Sequence, residues 1–201
     1  MAKVLVLFAH PLLEKSRVHV ELLKSAKAVN SITVIDLYEH YPDFDIDVKR
    51  EQALLLEHDI IVWQHPLYWY SCPPLLKQWL DLVLEHGWAY GKKGFALAGK
   101  RAFSVLSSGG SLEAYQYSGY NKYPIQDYLR PFERTAELCR MAYWPPYWVH
   151  SVHRMEAAQI KQYAEQYKNL LTALTKDIFS NEEISSQQLM NHLFPIPSTN
   201  V

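Results

Sequence analysis

Three short stretches of this chain are apolar almost without interruption: residues 3–9 (KVLVLFA), 59–64 (DIIVWQ) and 101–107 (RAFSVLS). A strand with one wet face alternates apolar and polar residues. These stretches leave no face for water, so each belongs inside a parallel sheet covered on both sides. Residues 31–37 (SITVIDL) add a β-branched run, and a fifth strand is expected at 147–152. Helical patterns fill the gaps. Residues 16–29 carry Val18, Leu22, Leu23 and Ala26 at helical spacing. Asp47 opens a helix through Leu56, with Leu54, Leu55 and Leu56 expected as its buried end. Pro73-Pro74 starts a third, with Leu75, Leu76, Trp79, Leu80 and Val83 as its stripe, because a first turn needs no amide donors. Further helices are predicted over 124–139 and 155–176.

Strands that alternate with helices predict an α/β fold with helices on both faces of the sheet. With right-handed crossovers and five parallel strands, the flavodoxin-like order 2-1-3-4-5 is the leading arrangement. The expected division is one domain over residues 1–176 and a polar, irregular extension over 177–201, with one short helix around 185–192.

Composition excludes several classes. Twenty Lys and Arg against 21 Asp and Glu leave a net charge of −1, which argues against a nucleic-acid partner and against an anionic-lipid anchor. Cys72 and Cys139 make no disulfide framework and have no CxxC spacing, so a reducing compartment is expected. No apolar run reaches the ~18–20 residues of a spanning helix, and the first ten residues do not read as a signal peptide. The expected location is the cytoplasm, with no insertion into lipid. All seven glycines lie at or beyond position 87, which removes any glycine-rich dinucleotide loop or P-loop after the first strand. An anion held there must use side-chain donors and a helix N-terminus.

In a doubly wound sheet, ligands bind beyond the carboxyl ends of the strands. Three segments fall there. The first, HPLLEKSRVH, puts Ser16 at a helix start, where its hydroxyl either caps amides or joins them around a phosphate; His10 is an anion donor or a plain turn residue. The second, HPLYWYSCPPLLKQWLD, puts Tyr68, Trp69 and Tyr70 between a strand end and a proline-started helix. They suit a flat conjugated ring, or packing or an interface. The third, SSGGSLEAYQYSGYNKYP, has a glycine pair that permits close backbone approach or makes a bare turn. His150 and His153, three apart on a strand, would point to opposite faces, and no Cys or carboxylate completes a site, so no metal is expected. Cys72 reads as a packing thiol.

These segments, with HGWAYG and the early AHP turn, resemble the NAD(P)H:quinone oxidoreductases of flavodoxin-like fold. YPDFDID, EQALLLEHD, WQHPLYWYSCPPLLK and LRPFE…LCRM are closer still to the cytoplasmic ancillary proteins of glutathione-gated potassium efflux systems. The resemblance covers residues 3–175. It implies noncovalent FMN, NAD(P)H as co-substrate, a quinone acceptor, a homodimer and a potassium efflux antiporter as partner, met on the cytoplasmic face of the inner membrane. By the same resemblance His10, Ser16, Arg17, Val18 and His19 would hold the FMN phosphate. Leu67, Tyr68, Trp69 and Tyr70 would line the isoalloxazine, and Ser107, Ser108, Gly109 and Gly110 its pyrimidine edge. Tyr115 falls at the quinone reductases' active-site tyrosine. The family usually has Asn at His19 and Thr-Thr-Gly-Gly at 107–110. The histidine that partners the tyrosine is replaced by Asn121, which can orient a quinone but cannot accept and return a proton at pH 7. Two readings remain: an enzyme reducing quinones through FMN, or an FMN-binding regulatory module that activates the antiporter with little turnover.

Overall fold

Strand β1 (Val4–Phe8) is buried at every position because both of its faces are covered. Val4, Val6 and Phe8 point into a core shared with helices α1 (Arg17–Lys27) and α7 (Ala157–Thr175). Leu5 and Leu7 point into a second core, built with α3 (Val48–Glu57), α4 (Pro74–Val83) and α6 (Arg130–Leu138). The two-residue period of the strand thus distributes one apolar run between two layers. A computed structural model of the chain describes residues 1–196; the end of the expected extension, 197–201, lies outside the described residues.

Strands β1, β2 (Ile32–Asp36), β3 (Ile60–Pro66), β4 (Arg101–Ser107) and β5 (Ala142–Tyr143) form a parallel sheet in the order 2-1-3-4-5. The fifth position has two pieces. β5 pairs with Arg101 and Ala102, while β6 (Tyr147–Val149) pairs with Val105, Leu106 and Ser107 of the same strand. Pro145 and Pro146 lack the amide donors to continue a ladder, which separates the pieces. The strand expected over 147–152 therefore stops at Val149, and His150 and His153 sit in the loop beyond it.

Other departures have equally local causes. In α3 only Leu55 of the leucine triplet is buried; Leu56 is exposed, and Glu51 and Gln52 take the inward positions instead. Residues step by 100° around a helix, so three in a row cannot share a face. The helix expected over 124–139 is two, α5 (Ile125–Tyr128) and α6, because Pro131 cannot donate back to the preceding turn. A short helix absent from the sequence reading, α2 (Leu37–His40), is capped by the Asp36 carboxylate, which accepts from Tyr38 N and Glu39 N.

Residues 177–196 are docked. Helix α8 (Asn181–Ser185) has a reciprocal Ser180/Glu183 capping box, and a 3-10 turn follows at Met190–Leu193. Ile184, Leu189 and Met190 are buried, and the Asn191 side chain accepts from Trp148 N and donates to Trp148 O. Apolar anchors dispersed in a polar composition close the edge of the sheet at β6.

Candidate functional site

Strands β1, β3 and β4 are neighbours, so the turns that leave their carboxyl ends meet at one edge. There a cavity of about 360 Å³ opens between His10, Ser16, Arg17 and Val18 on one side and Leu67, Tyr68, Ser107, Ser108 and Gly109 on the other. A second cavity of about 360 Å³ adjoins it through Leu67 and is lined by Trp69, Tyr70, Gly110, Tyr115, Tyr120 and Asn121. Every site residue expected from the sequence except His19 lines one of the two. Lys15 and His153 also face the first cavity, and Tyr120 the second. Lys15 and Tyr120 lie inside segments already singled out. His153 follows the last strand and carried no signal beyond its rejected pairing with His150.

The first cavity is a donor site. Ser16 caps α1: its Oγ accepts from His19 N at 3.1 Å, and Val20 N bonds back to Ser16 O at 3.3 Å. The amides of Arg17 and Val18 find no partner among the described residues, and they carry the positive end of the helix dipole. His10 adds a directed donor. Leu12 N donates to His10 Nδ1 at 3.1 Å, so Nδ1 must hold its lone pair, and the ring proton sits on Nε2, 3.4 Å from the Tyr68 hydroxyl. Burial holds His10 below the ordinary histidine range, against the pull of Glu14.

His19 stands behind this wall. It is fully buried, packed against Phe8 and His10, with Nε2 2.9 Å from Ser107 Oγ. Burial, His10 and His65 hold it well below 6.5, so the ring is neutral at physiological pH. Ser108 is bound internally: its hydroxyl accepts from Trp148 Nε1 at 3.0 Å and donates to Gly110 O at 3.1 Å. Gly109 is tight, since a Cβ there would stand 2.7 Å from His153 Nε2.

Aromatic residues shape the second cavity. Tyr68 and Ser71 bond to each other through both backbone groups, at 3.1 and 3.0 Å, closing a two-residue turn on Trp69 and Tyr70. Both central residues are left-handed, with φ of 49° and 63°, a conformation that favours glycine and stores strain in larger residues. The turn holds Trp69 93% exposed while Tyr70 stacks on Tyr128 and donates to Asn121 Oδ1 at 3.3 Å. Tyr115 is buried edge-on to Tyr128 and Trp148. Burial, with Tyr70 and Tyr128 close by, raises its pKa, so it remains a hydroxyl at neutral pH. A larger cavity, about 570 Å³, lies between α6 and the docked tail and shares only Tyr115 with the edge. Cys72 is half-buried and pushed up by burial, as a packing thiol is. Among the described residues no three His, Cys, Asp or Glu side chains are placed to hold a metal ion.

The model of one family, described as having the flavodoxin-like fold, matches residues 2–171. The chain belongs to that family. It is 50% identical over 170 residues to the glutathione-regulated potassium-efflux system ancillary protein KefG of Escherichia coli, covering 85% of this chain and 93% of KefG. Among solved structures it is similar to general stress protein 14 of Treponema denticola, determined in complex with FMN. That likeness has a TM-score of 0.82 and 41% identity, over 86% of this chain and 99% of the other. An NADPH-quinone reductase from P. pentosaceus matches at a TM-score of 0.76 and 34% identity, over 83% and 96% of the two chains. No helix among the described residues is long and apolar enough to cross a membrane.

Proposed function

We propose that this chain binds FMN at the carboxyl edge of its sheet, reduces quinones with NAD(P)H, and serves as the ancillary component of a glutathione-regulated potassium efflux antiporter. One observation carries the reading: a donor-lined cavity and an aromatic-lined cavity meet at Leu67, the shape of a ligand with an anionic tail and a flat ring. The residues fit FMN. Two helix amides without a partner among the described residues can take an anion, and the glycine pair keeps backbone where a Cβ would press on His153 or on Tyr115. Kinship with KefG and with an FMN-bound structure supports the cofactor and the partner.

FMN, when bound, would supply two-electron hydride chemistry between NAD(P)H and a quinone. The chain binds and orients. The amides of Arg17 and Val18, the Ser16 hydroxyl and His10 Nε2–H hold the phosphate. Leu67, Tyr68, Trp69 and Tyr70 wall the ring and exclude water, while Ser107 and the Gly109-Gly110 backbone meet its pyrimidine edge. Tyr115 and Asn121 orient the quinone by hydrogen bonds. Exposed Tyr117, Tyr120 and Tyr123 at the rim suit a homodimer interface beside the site.

Titration of the apo-protein with FMN tests the cofactor. The double variant Ser16→Ala/His10→Ala is expected to weaken binding by about 2–3 kcal/mol, roughly 30- to 150-fold, for two donors to an anion. Unchanged affinity would move the site elsewhere. The regulatory reading has its own support: among the described residues no His, Cys, Asp, Glu or Lys lines the ring-end cavity, so no side chain of those types is there to relay protons to a quinone. Tyr115→Phe is therefore expected to reduce quinone-dependent NAD(P)H oxidation while stimulation of K⁺ efflux persists. Parallel loss of both would tie activation to turnover.

A further inference from the structure

The buried imidazole of His19 lines neither cavity, yet its Nε2 lies 2.9 Å from the one hydroxyl of the serine pair that remains uncommitted. Ser108 both accepts and donates within the protein, through Trp148 and Gly110, and has no proton left to offer. Ser107 Oγ has His19 as its single partner among the described residues, and it faces the first cavity. Which atom donates across that 2.9 Å decides what Ser107 presents to a ligand.

A neutral imidazole carries one N–H. His19 Nδ1 is buried with no partner. If the proton sat on Nδ1, the site would bury an orphan N–H, and Nε2 would take the Ser107 proton. If it sits on Nε2, the orphan is a lone pair, the less rarely tolerated defect. The Nε2–H then donates to Ser107 Oγ, and the serine proton must look elsewhere for an acceptor. No acceptor other than His19 lies within hydrogen-bond distance of Ser107 Oγ among the described residues, and Ser107 lines the first cavity, so that proton turns into the cavity.

We infer that His19 is a positioning residue: by donating Nε2–H to Ser107 it commits the Ser107 hydroxyl to donate into the cavity, which selects a ligand with an acceptor, a carbonyl oxygen or a deprotonated ring nitrogen, at that point. The pyrimidine edge of a flavin has such acceptors, and this inference rests on the FMN reading above. The same device works at His10, where Leu12 N fixes the proton on Nε2. Two histidines thereby set the direction of donors on two sides of one cavity.

Two measurements test it. In the apo-protein labelled with ¹⁵N-histidine, and with His19→Gln assigning the signal, His19 is expected as the neutral Nε2–H form. An Nδ1–H form or an imidazolium would overturn the inference without any variant having to fold differently. In a double-mutant cycle on FMN affinity, Ser107→Ala and His19→Leu are each expected to weaken binding about five- to tenfold, the worth of one hydrogen bond. The double variant should be no weaker than Ser107→Ala alone. His19→Gln, whose amide nitrogen reaches about as far as Nε2, should restore most of the loss. Additive losses would make His19 a packing residue only. Failure of the wild-type chain to bind FMN would instead remove the FMN reading and the inference with it, so the two failures are told apart.

Discussion

Replacing Trp79 with alanine is expected to cost about 3–5 kcal/mol of unfolding free energy, the range for emptying a buried aromatic site. Trp69→Ala, ten positions away, is expected to stay within about 0.5 kcal/mol of wild type, as surface substitutions do. Trp79 has no exposed surface, and its Nε1 donates at 2.8 Å to Glu51 Oε2. Glu51, also fully buried, takes Tyr41 Oη and Arg50 on its other oxygen, so losing the indole leaves a buried carboxylate oxygen unpaired as well as a void. Trp69 is 93% exposed at a left-handed φ of 49°. Trp69→Gly should therefore be more stable than Trp69→Ala by about 0.5–1 kcal/mol, because only glycine adopts that backbone freely. Urea midpoints report both comparisons. Either Trp69 variant should change the visible spectrum of bound FMN or the KM for quinone. A collapse of Trp69→Ala comparable to that of Trp79→Ala would show that residues 68–70 serve packing alone.

That pair shows where reading the residues stops. Both tryptophans lie in aromatic, proline-punctuated sequence, and hydrophobicity ranks them equally. The helical stripe placed Trp79 correctly because Leu75, Leu76 and Val83 share its face. The fate of Trp69 depends on a two-residue turn with no Asn-Gly signature, held by backbone bonds between Tyr68 and Ser71. The central strands were legible because a run apolar on both faces admits few alternatives. Their order placed His10, Leu67 and Ser107 on one edge before any side-chain geometry was known. Periodicity was overridden where three leucines in a row hid the real inward pair, Glu51 and Gln52, whose burial is made tolerable by partners far along the chain. His19 lies at the expected turn, with its ring packed on Phe8 rather than lining either cavity. A residue at the third position of α1 can face the ligand or the strand behind it, and helix phase against β1 decides which. The tail was read as polar because Ile184, Leu189 and Met190 are spaced for docking to an edge rather than for a stripe.

Lowering the pH from 7 to 5 is expected to destabilise the protein by about 2 kcal/mol through His65 alone. His65 is the penultimate residue of β3, fully buried and stacked on Phe132 at 5.2 Å; Nδ1 donates to Pro66 O at 3.0 Å and Nε2 has no partner among the described residues. A charged ring there would carry a second N–H with nothing to accept it, so burial pushes the pKa from 6.5 down to about 4. The unfolded chain takes up a proton near 6.5 while the folded chain resists until about 4. Between those values the unfolded state binds more protons, so stability falls as pH falls; above 6.5 the group contributes no slope. His10 and His19, both lowered by burial, act in the same direction, whereas Asp36, raised by burial, acts against it. Urea unfolding at pH 7, 6 and 5 should therefore show a decline that His65→Leu flattens by roughly 2 kcal/mol at pH 5. An equal decline in that variant would place the acid sensitivity elsewhere. His65 stands near the carboxyl end of β3, on the face opposite His19, so charging it should loosen the carboxyl edge first. FMN retention is then expected to fall within the same pH window, before the rest of the sheet unfolds.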